Sequence, residues 1–309
     1  MADGRTDTGS GEDLQIQVSR CLRMRFSESS CRQCVDICPH EAVTLDGGLS
    51  LNPDQCHGCL LCTSVCPAGA LEHGSDFAAC LAQLSRVPEP LLGCIRTKEN
   101  SNAAVACLGG LSEEHLLVLC LSLPDVLTLN LSDCADCTNN AMINHLRQRV
   151  STLSEAGLLS GGCRMLLTES ASELRFQGEA FDRRNFFKSL RSSLFQGVAA
   201  ILSTTCEQTE QRSEYARKYL PVRRVLLNKN RSELPQELAV PAMKQFDSII
   251  SFGECCTRCQ GCVAICPTGA LKSGLPDAPP GFDQLLCTGC GVCTEFCLDG
   301  AVRLSRFLD

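Results

Sequence analysis

Apolar positions in this chain follow two kinds of pattern. Between Leu91 and Thr168, short runs such as LLGCI (91–95), AAVACL (103–108), VLTLNL (126–131) and RMLLT (164–168) are almost continuously apolar. They alternate with longer stretches, SEEHLLVLCLSL (112–123) and AMINHLRQRVSTL (141–153). In the second of these Met142, Leu146, Val150 and Leu153 share one helical face. Ser112, followed by Glu113 and Glu114, is a helix start, and Pro124 is a stop. Short buried strands alternating with helices predict a small parallel sheet flanked by helices over 88–175. Outside this region the strands are shorter. AVTLDGGLSL (42–51) predicts a hairpin turning at Asp46-Gly47-Gly48, and the tails EAVTL, AGALE, TGALK and DGAVRL repeat a similar apolar ending four times. A further amphipathic helix is expected over 181–195, with Phe186, Phe187, Leu190 and Leu194 on its apolar side.

Composition narrows the class. A chain of 309 residues is a prior for about two domains, and 25 cysteines set its chemistry. That number is odd, and MADGRTDTGSGEDLQ lacks the basic start and apolar stretch of a secretory leader. The expectation is therefore a reducing, cytoplasmic setting with thiols committed to metal rather than to disulfides. Among uninterrupted apolar runs, Leu116 to Leu121 is the longest, well short of the roughly 20 residues a membrane helix needs. Direct membrane insertion is not expected.

The cysteine spacing repeats. Cys256-x2-Cys259-x2-Cys262-x3-Cys266-Pro267 is followed by Cys287-x2-Cys290-x2-Cys293-x3-Cys297. Near the other end stands Cys56-x2-Cys59-x2-Cys62-x3-Cys66-Pro67, preceded by a shortened copy, Cys31-x2-Cys34-x3-Cys38-Pro39. Four soft thiolates at the corners of a bulky core are what an iron–sulfur cubane requires. Zinc ribbons also use Cys-x2-Cys pairs, but three cysteines in seven residues with a fourth four later crowd a single tetrahedral ion. Haem c is excluded by the lack of Cys-x-x-Cys-His, and His40 and His57 read as surface residues.

These motifs resemble the bacterial two-cluster ferredoxins, in which the fourth thiolate of each cluster comes from the other half of the module. The resemblance covers about residues 21–75 and 253–307. It implies two compact modules, each of two small hairpins and two short helices around two [4Fe–4S] clusters. Carried over by position, one C-terminal cluster takes Cys256, Cys259, Cys262 and Cys297, and the other Cys287, Cys290, Cys293 and Cys266. One N-terminal cluster takes Cys56, Cys59, Cys62 and Cys38. The remaining one has Cys31, Cys34 and Cys66, and here the sequence departs from the family, because Glu28 stands where the first cysteine belongs. Cys21 is the nearest thiol able to loop in; a three-iron cluster and ligation by Glu28 are the competing readings.

In the central domain, Cys94, Cys107, Cys134 and Cys137 fall at or just after predicted strand ends, where parallel sheets collect ligands. They are a candidate fifth metal site. This region resembles the iron–sulfur delta subunit of methyl-viologen-reducing hydrogenases, and that resemblance implies a [2Fe–2S] cluster there. Zinc, a four-iron cluster, a redox dithiol at Cys134-x2-Cys137 and simple burial of Cys94 and Cys107 are the alternatives. Cys80, Cys120, Cys163, Cys206 and Cys255 read as core or spare thiols.

The expected architecture is α+β and multidomain: ferredoxin-like dicluster modules at 14–78 and 253–309, the α/β domain at 88–175, and a helical connector at 176–252. Charge is unevenly spread. Residues 181–231 carry 11 basic and 4 acidic side chains, a net +7, against −14 for the rest. That segment either clamps the acidic modules, faces an acidic partner or is a solvated face. Arg183-Arg184 mimics a twin-arginine export motif but lies deep in the chain. No nucleotide-binding glycine loop or nucleophile elbow occurs, and an acidic chain without an aromatic platform does not suit nucleic acid. The leading reading is an electron-transfer subunit of a larger oxidoreductase, with redox proteins as partners and no catalytic residue of its own. Chemistry at the central cysteines, or a redox or iron sensor, are the alternatives.

Overall fold

The computed structural model describes residues 14–74, 76–123, 126–159, 164–176, 214–275 and 278–307. The amphipathic helix expected over 181–195, the stop at Pro124, and Cys163 and Cys206 lie outside the described residues.

The N-terminal module runs through β1 (Leu14–Ile16), α1 (Leu22–Arg25), α2 (Gln33–Asp36), β2 (Val43–Thr44), β3 (Ser50–Leu51), α3 (Leu61–Val65) and β4 (Leu71–His73). Strands β2 and β3 form the expected hairpin, pairing Val43 with Leu51 and Thr44 with Ser50. Gly47 and Gly48 both hold positive φ in its turn, which glycine adopts without steric cost. The first strand pairs with the last: Leu14 faces His73 and Ile16 faces Leu71, antiparallel.

The central domain begins with α4 (Phe77–Leu84) and continues β5 (Leu91–Cys94), β6 (Ala103–Val105), α5 (Glu113–Ser122), β7 (Val126–Asn130), α6 (Met142–Glu155) and β8 (Arg164–Thr168). Its sheet has the order β6-β5-β7-β8 and is parallel throughout. All four residues of β5 are buried, as an inner strand requires. The Ser112 hydroxyl accepts from the His115 backbone N–H and so caps α5. Leu116, Leu117, Val118 and Leu119 are all buried, because α5 lies between α6 and α7 (Val222–Asn230). On α6, Met142, Leu146 and Leu153 are buried as the spacing predicts, and Val150 packs against the same core.

Helix α8 (Gln236–Phe246) leads to the C-terminal module: β9 (Ser248–Phe252), α9 (Gly261–Ile265), β10 (Leu271–Lys272), β11 (Gly281–Phe282), α10 (Val292–Phe296) and β12 (Val302–Arg306). The residues of β9, placed in the connector on sequence grounds, belong to this module. They pair with β12 in full register, Ser248 with Arg306 through Phe252 with Val302. Only the C-terminal half of the pair carries a cysteine-linked signal, so the first strand was invisible in the motif.

The described part of the connector clamps the modules. The Tyr219 N–H donates to the Pro267 carbonyl at 2.8 Å, and its hydroxyl donates to Glu72. The Arg20 guanidinium lies 3.3 Å from the centre of the Tyr219 ring. No helix among the described residues is long and apolar enough to cross a membrane.

Candidate metal centres

Backbone conformation explains how these motifs present their sulfurs. In the three full motifs the residues on both sides of the second cysteine are left-handed: Gly58 and Leu60, Arg258 and Gln260, Gly289 and Gly291. The second of each pair is also the N-cap of a short helix, α3, α9 or α10. The reversal carries the third cysteine (Cys62, Cys262 or Cys293) back toward the first two. Leu60, Arg258 and Gln260 pay a steric cost for this that glycine does not. The shortened motif dispenses with the device: Arg32, in the place of Leu60, has φ −142°.

The predicted thiols gather as five quartets. Cys21, Cys31 and Cys66 all act electrostatically on Cys34, whose pKa burial pushes up to about 12. Cys21 is buried in one apolar cluster with Cys34 and Cys66, whereas Glu28 is exposed in a turn. These four are the first N-terminal quartet. Cys38 and Cys56 both act on Cys59, which burial pushes up to about 11. With Cys62, which feels all three, they make the second N-terminal quartet. Cys256, Cys259, Cys262 and Cys297 line one cavity of about 190 Å³ and form the first C-terminal quartet. Cys266 and Cys287 both act on Cys293, pushed up to about 12 by burial; Cys290 feels the same three thiols and completes the second C-terminal quartet.

The central quartet is also assembled. Cys94 and Cys134 act on Cys107, and Cys94 and Cys137 on Cys134; burial pushes both Cys107 and Cys134 up to about 12. All four sit at the carboxyl-terminal edge of the parallel sheet, Cys94 closing β5 and the others following β6 and β7. Of the spare thiols, Cys80 and Cys120 are buried and Cys255 is exposed.

Thiols packed side by side suit a metal core, because coordination removes their protons and balances the charge. Among the described residues, no group of three or more Cys, His, Asp or Glu side chains is set to hold a single metal ion. A cubane asks for something wider, each thiolate on its own iron. Backbone donors already point at the sulfurs: Ala42 N–H to Cys38 Sγ at 3.3 Å and Ala70 N–H to Cys66 Sγ at 3.2 Å. Gly289 N–H reaches Cys287 Sγ and Asn139 N–H reaches Cys137 Sγ, each at 3.5 Å. Such bonds stabilise charge on sulfur and tune potential.

Residues 29–70 match a model described as a 4Fe-4S dicluster domain, and residues 248–298 match a second model of the same description. A pyruvate synthase subunit, PorD, of Thermotoga maritima is 32% identical over 69 residues, covering 21% of this chain and 70% of that relative. The chain belongs to the 4Fe–4S dicluster ferredoxin family. Neither matched stretch reaches the central sheet. The dicluster ferredoxin modules thus stand at both ends, as the cysteine spacing implied.

Several residues that position these centres were missed in the sequence. Asn139 donates from Nδ2 to the His57 carbonyl at 2.7 Å, and its Oδ1 lies 3.0 Å from His40 Nε2. His40 and His57 therefore include a docking contact with the central domain. Buried Arg149 donates to the carbonyls of Gly109 and Leu111 at 2.9 and 2.7 Å and to the Ser64 hydroxyl. A signal existed: Arg149 interrupts the apolar stripe Met142, Leu146, Leu153 at a core position. Lys218 Nζ donates to the carbonyls of Val263, Ala264 and Cys266 at 2.9, 2.7 and 2.7 Å; nothing in its sequence context marked it.

Proposed function

We propose that this chain is an electron-transfer subunit of a multisubunit oxidoreductase. Its N- and C-terminal quartets hold four [4Fe–4S] clusters, with Cys21 as the fourth ligand of the first. The central quartet holds a fifth, a [2Fe–2S] cluster. When bound, such groups supply one-electron carriage, at potentials spanning about −700 to +450 mV across proteins. The observation that carries the reading is the gathering of thiols into quartets inside two dicluster modules. Similarity to a subunit of pyruvate synthase supports a place in a multisubunit enzyme, whose other subunits supply substrate chemistry. The protein's own residues do three things: they deliver thiolates, aim N–H groups at the sulfurs, and cover the inner sites from water. A cytoplasmic location suits so many reduced thiols.

Metal analysis of native holoprotein purified without oxygen tests this. About sixteen to eighteen iron atoms per chain are expected from four cubanes with or without the two-iron site. A native protein loaded with zinc and free of iron overturns it.

A further inference from the structure

The modules lie far apart in the chain but meet face to face. Leu22 and Ala68 of the N-terminal module and Ile265 and Val292 of the C-terminal one share a single buried cluster, and Cys31 and Cys290, one from each module, pack against it. The Phe26 and Phe296 rings meet edge-on with centres 5.2 Å apart. The Ser30 N–H donates to Glu295 at 3.2 Å. We infer that the thiol quartets form one unbranched line, ordered first C-terminal, second C-terminal, first N-terminal, second N-terminal, central, so that the two modules conduct as one through this face. The inference rests on the cluster reading above and adds the order.

Each link stands on a contact. Within the C-terminal module Cys262 shares one buried cluster with Cys266, Cys287 and Cys293. Across the junction Cys31 and Cys290 pack against one shared apolar cluster, and Arg25, one turn beyond Cys21, bears electrostatically on Cys266. Within the N-terminal module Cys34 and Cys66 share one buried cluster with Cys62. At the far end Cys59 acts on Cys107, and Gly109 lies so close that a Cβ there would stand 2.3 Å from the Cys59 carbonyl oxygen. The direct route from the C-terminal module to the central sheet is occupied differently. Between them lies a cleft of about 430 Å³ lined by Glu113, Glu114, Arg149, Arg224 and Arg306 among others, with no cysteine in its wall. One electron moves per step: one site is oxidised as its neighbour is reduced, and external one-electron carriers fill and empty the ends.

Electron paramagnetic resonance of the reduced, anaerobic holoprotein tests the order through magnetic coupling between sites. In the unmodified protein one C-terminal cluster should couple across the junction. The double variant Cys31→Ser, Cys34→Ser should lose about four irons and that coupling; Cys59→Ser, Cys62→Ser should lose as many and keep it. The opposite pattern, or no cross-module coupling in a fully loaded protein, overturns the order while leaving the cluster reading intact. Missing cubane signals in the unmodified protein would instead remove the cluster reading. A variant that touches no ligand gives an independent check. The Lys218 ammonium donates to the Cys266 carbonyl, so Lys218→Met should lower the potential of the cross-coupled C-terminal cluster more than that of the other. A shift confined to the uncoupled cluster, or none at either, overturns the order.

Discussion

On the proposed reading, Cys21 replaces a missing ligand from outside its motif. Glu28 sits where the family's spacing puts a cysteine, yet it is exposed in the turn that follows α1, while Cys21 is buried against Cys34 and Cys66. On that reading the first thiolate comes from the N-cap of α1, the loop before Cys31 need not wrap the core, and the left-handed pair beside the second cysteine is absent. A carboxylate is also a harder ligand than iron–sulfur cores prefer. Cys21→Ser should therefore convert one cubane to a three-iron or labile form, while Glu28→Gln leaves all four. Anaerobic spectroscopy of the two variants decides between them; loss of a cubane in Glu28→Gln alone would make the carboxylate the ligand. Cys21 was legible as the nearest free thiol. The strained φ of Leu60, Arg258 and Gln260 was not, since none of these residue types advertises a left-handed backbone.

Helix α6 ties the central domain to its neighbour through Arg149. Its guanidinium satisfies two carbonyls of the segment after β6 and a hydroxyl of α3. Arg149→Met would leave buried acceptors unpaired and should cost about 2–4 kcal/mol. Arg147→Met, on the exposed side of the same helix, should cost no more than about 0.5 kcal/mol; equal losses in chemical denaturation would refute the assignment. At the start of α5, His115 Nδ1 accepts from the Ser112 N–H at 3.3 Å. Burial, with His73, Arg223 and Arg149 adding to it, holds the His115 pKa down at about 3. The fold needs the neutral ring, so this contribution is complete above about pH 6.5 and drains away as pH falls toward 3, by up to about 1.4 kcal/mol per pH unit. Melting of His115→Gln should depend less steeply on pH between 6.5 and 5 than melting of the parent; identical slopes would refute this. The hairpin β2–β3, the capped α5 and the parallel sheet were all legible, because local turn chemistry and apolar period decide them. The pairings of β1 with β4 and β9 with β12 were not: their partners are three to five residues long and lie distant in sequence.

Across the whole molecule the quartets differ in shelter. Cys259 is exposed, and the cavity of its quartet adjoins Leu298, which is fully exposed. Cys31 and Cys290, by contrast, are covered by the opposing module. On controlled admission of air, iron should leave the first C-terminal site before either site at the junction, because oxidation follows access; spectra recorded over time would show its signal decay first, and simultaneous decay would contradict the shelter. The basic connector shows where charge counting stops. Lys218 donates to carbonyl oxygens of the C-terminal module, and Arg224 to the Cys287 carbonyl while pairing with Asp247, contacts that no sequence pattern displays. The face-to-face junction also has a consequence in time. Ala68 is made long before Ile265, and at about 5–20 residues per second the gap is roughly 10–40 seconds. Until the second half emerges from the ribosome, Leu22, Phe26 and Cys31 stand open to solvent. Whatever shields that nascent surface from oxygen and from other apolar chains during the interval must come from another molecule, since its own cover has not yet been translated.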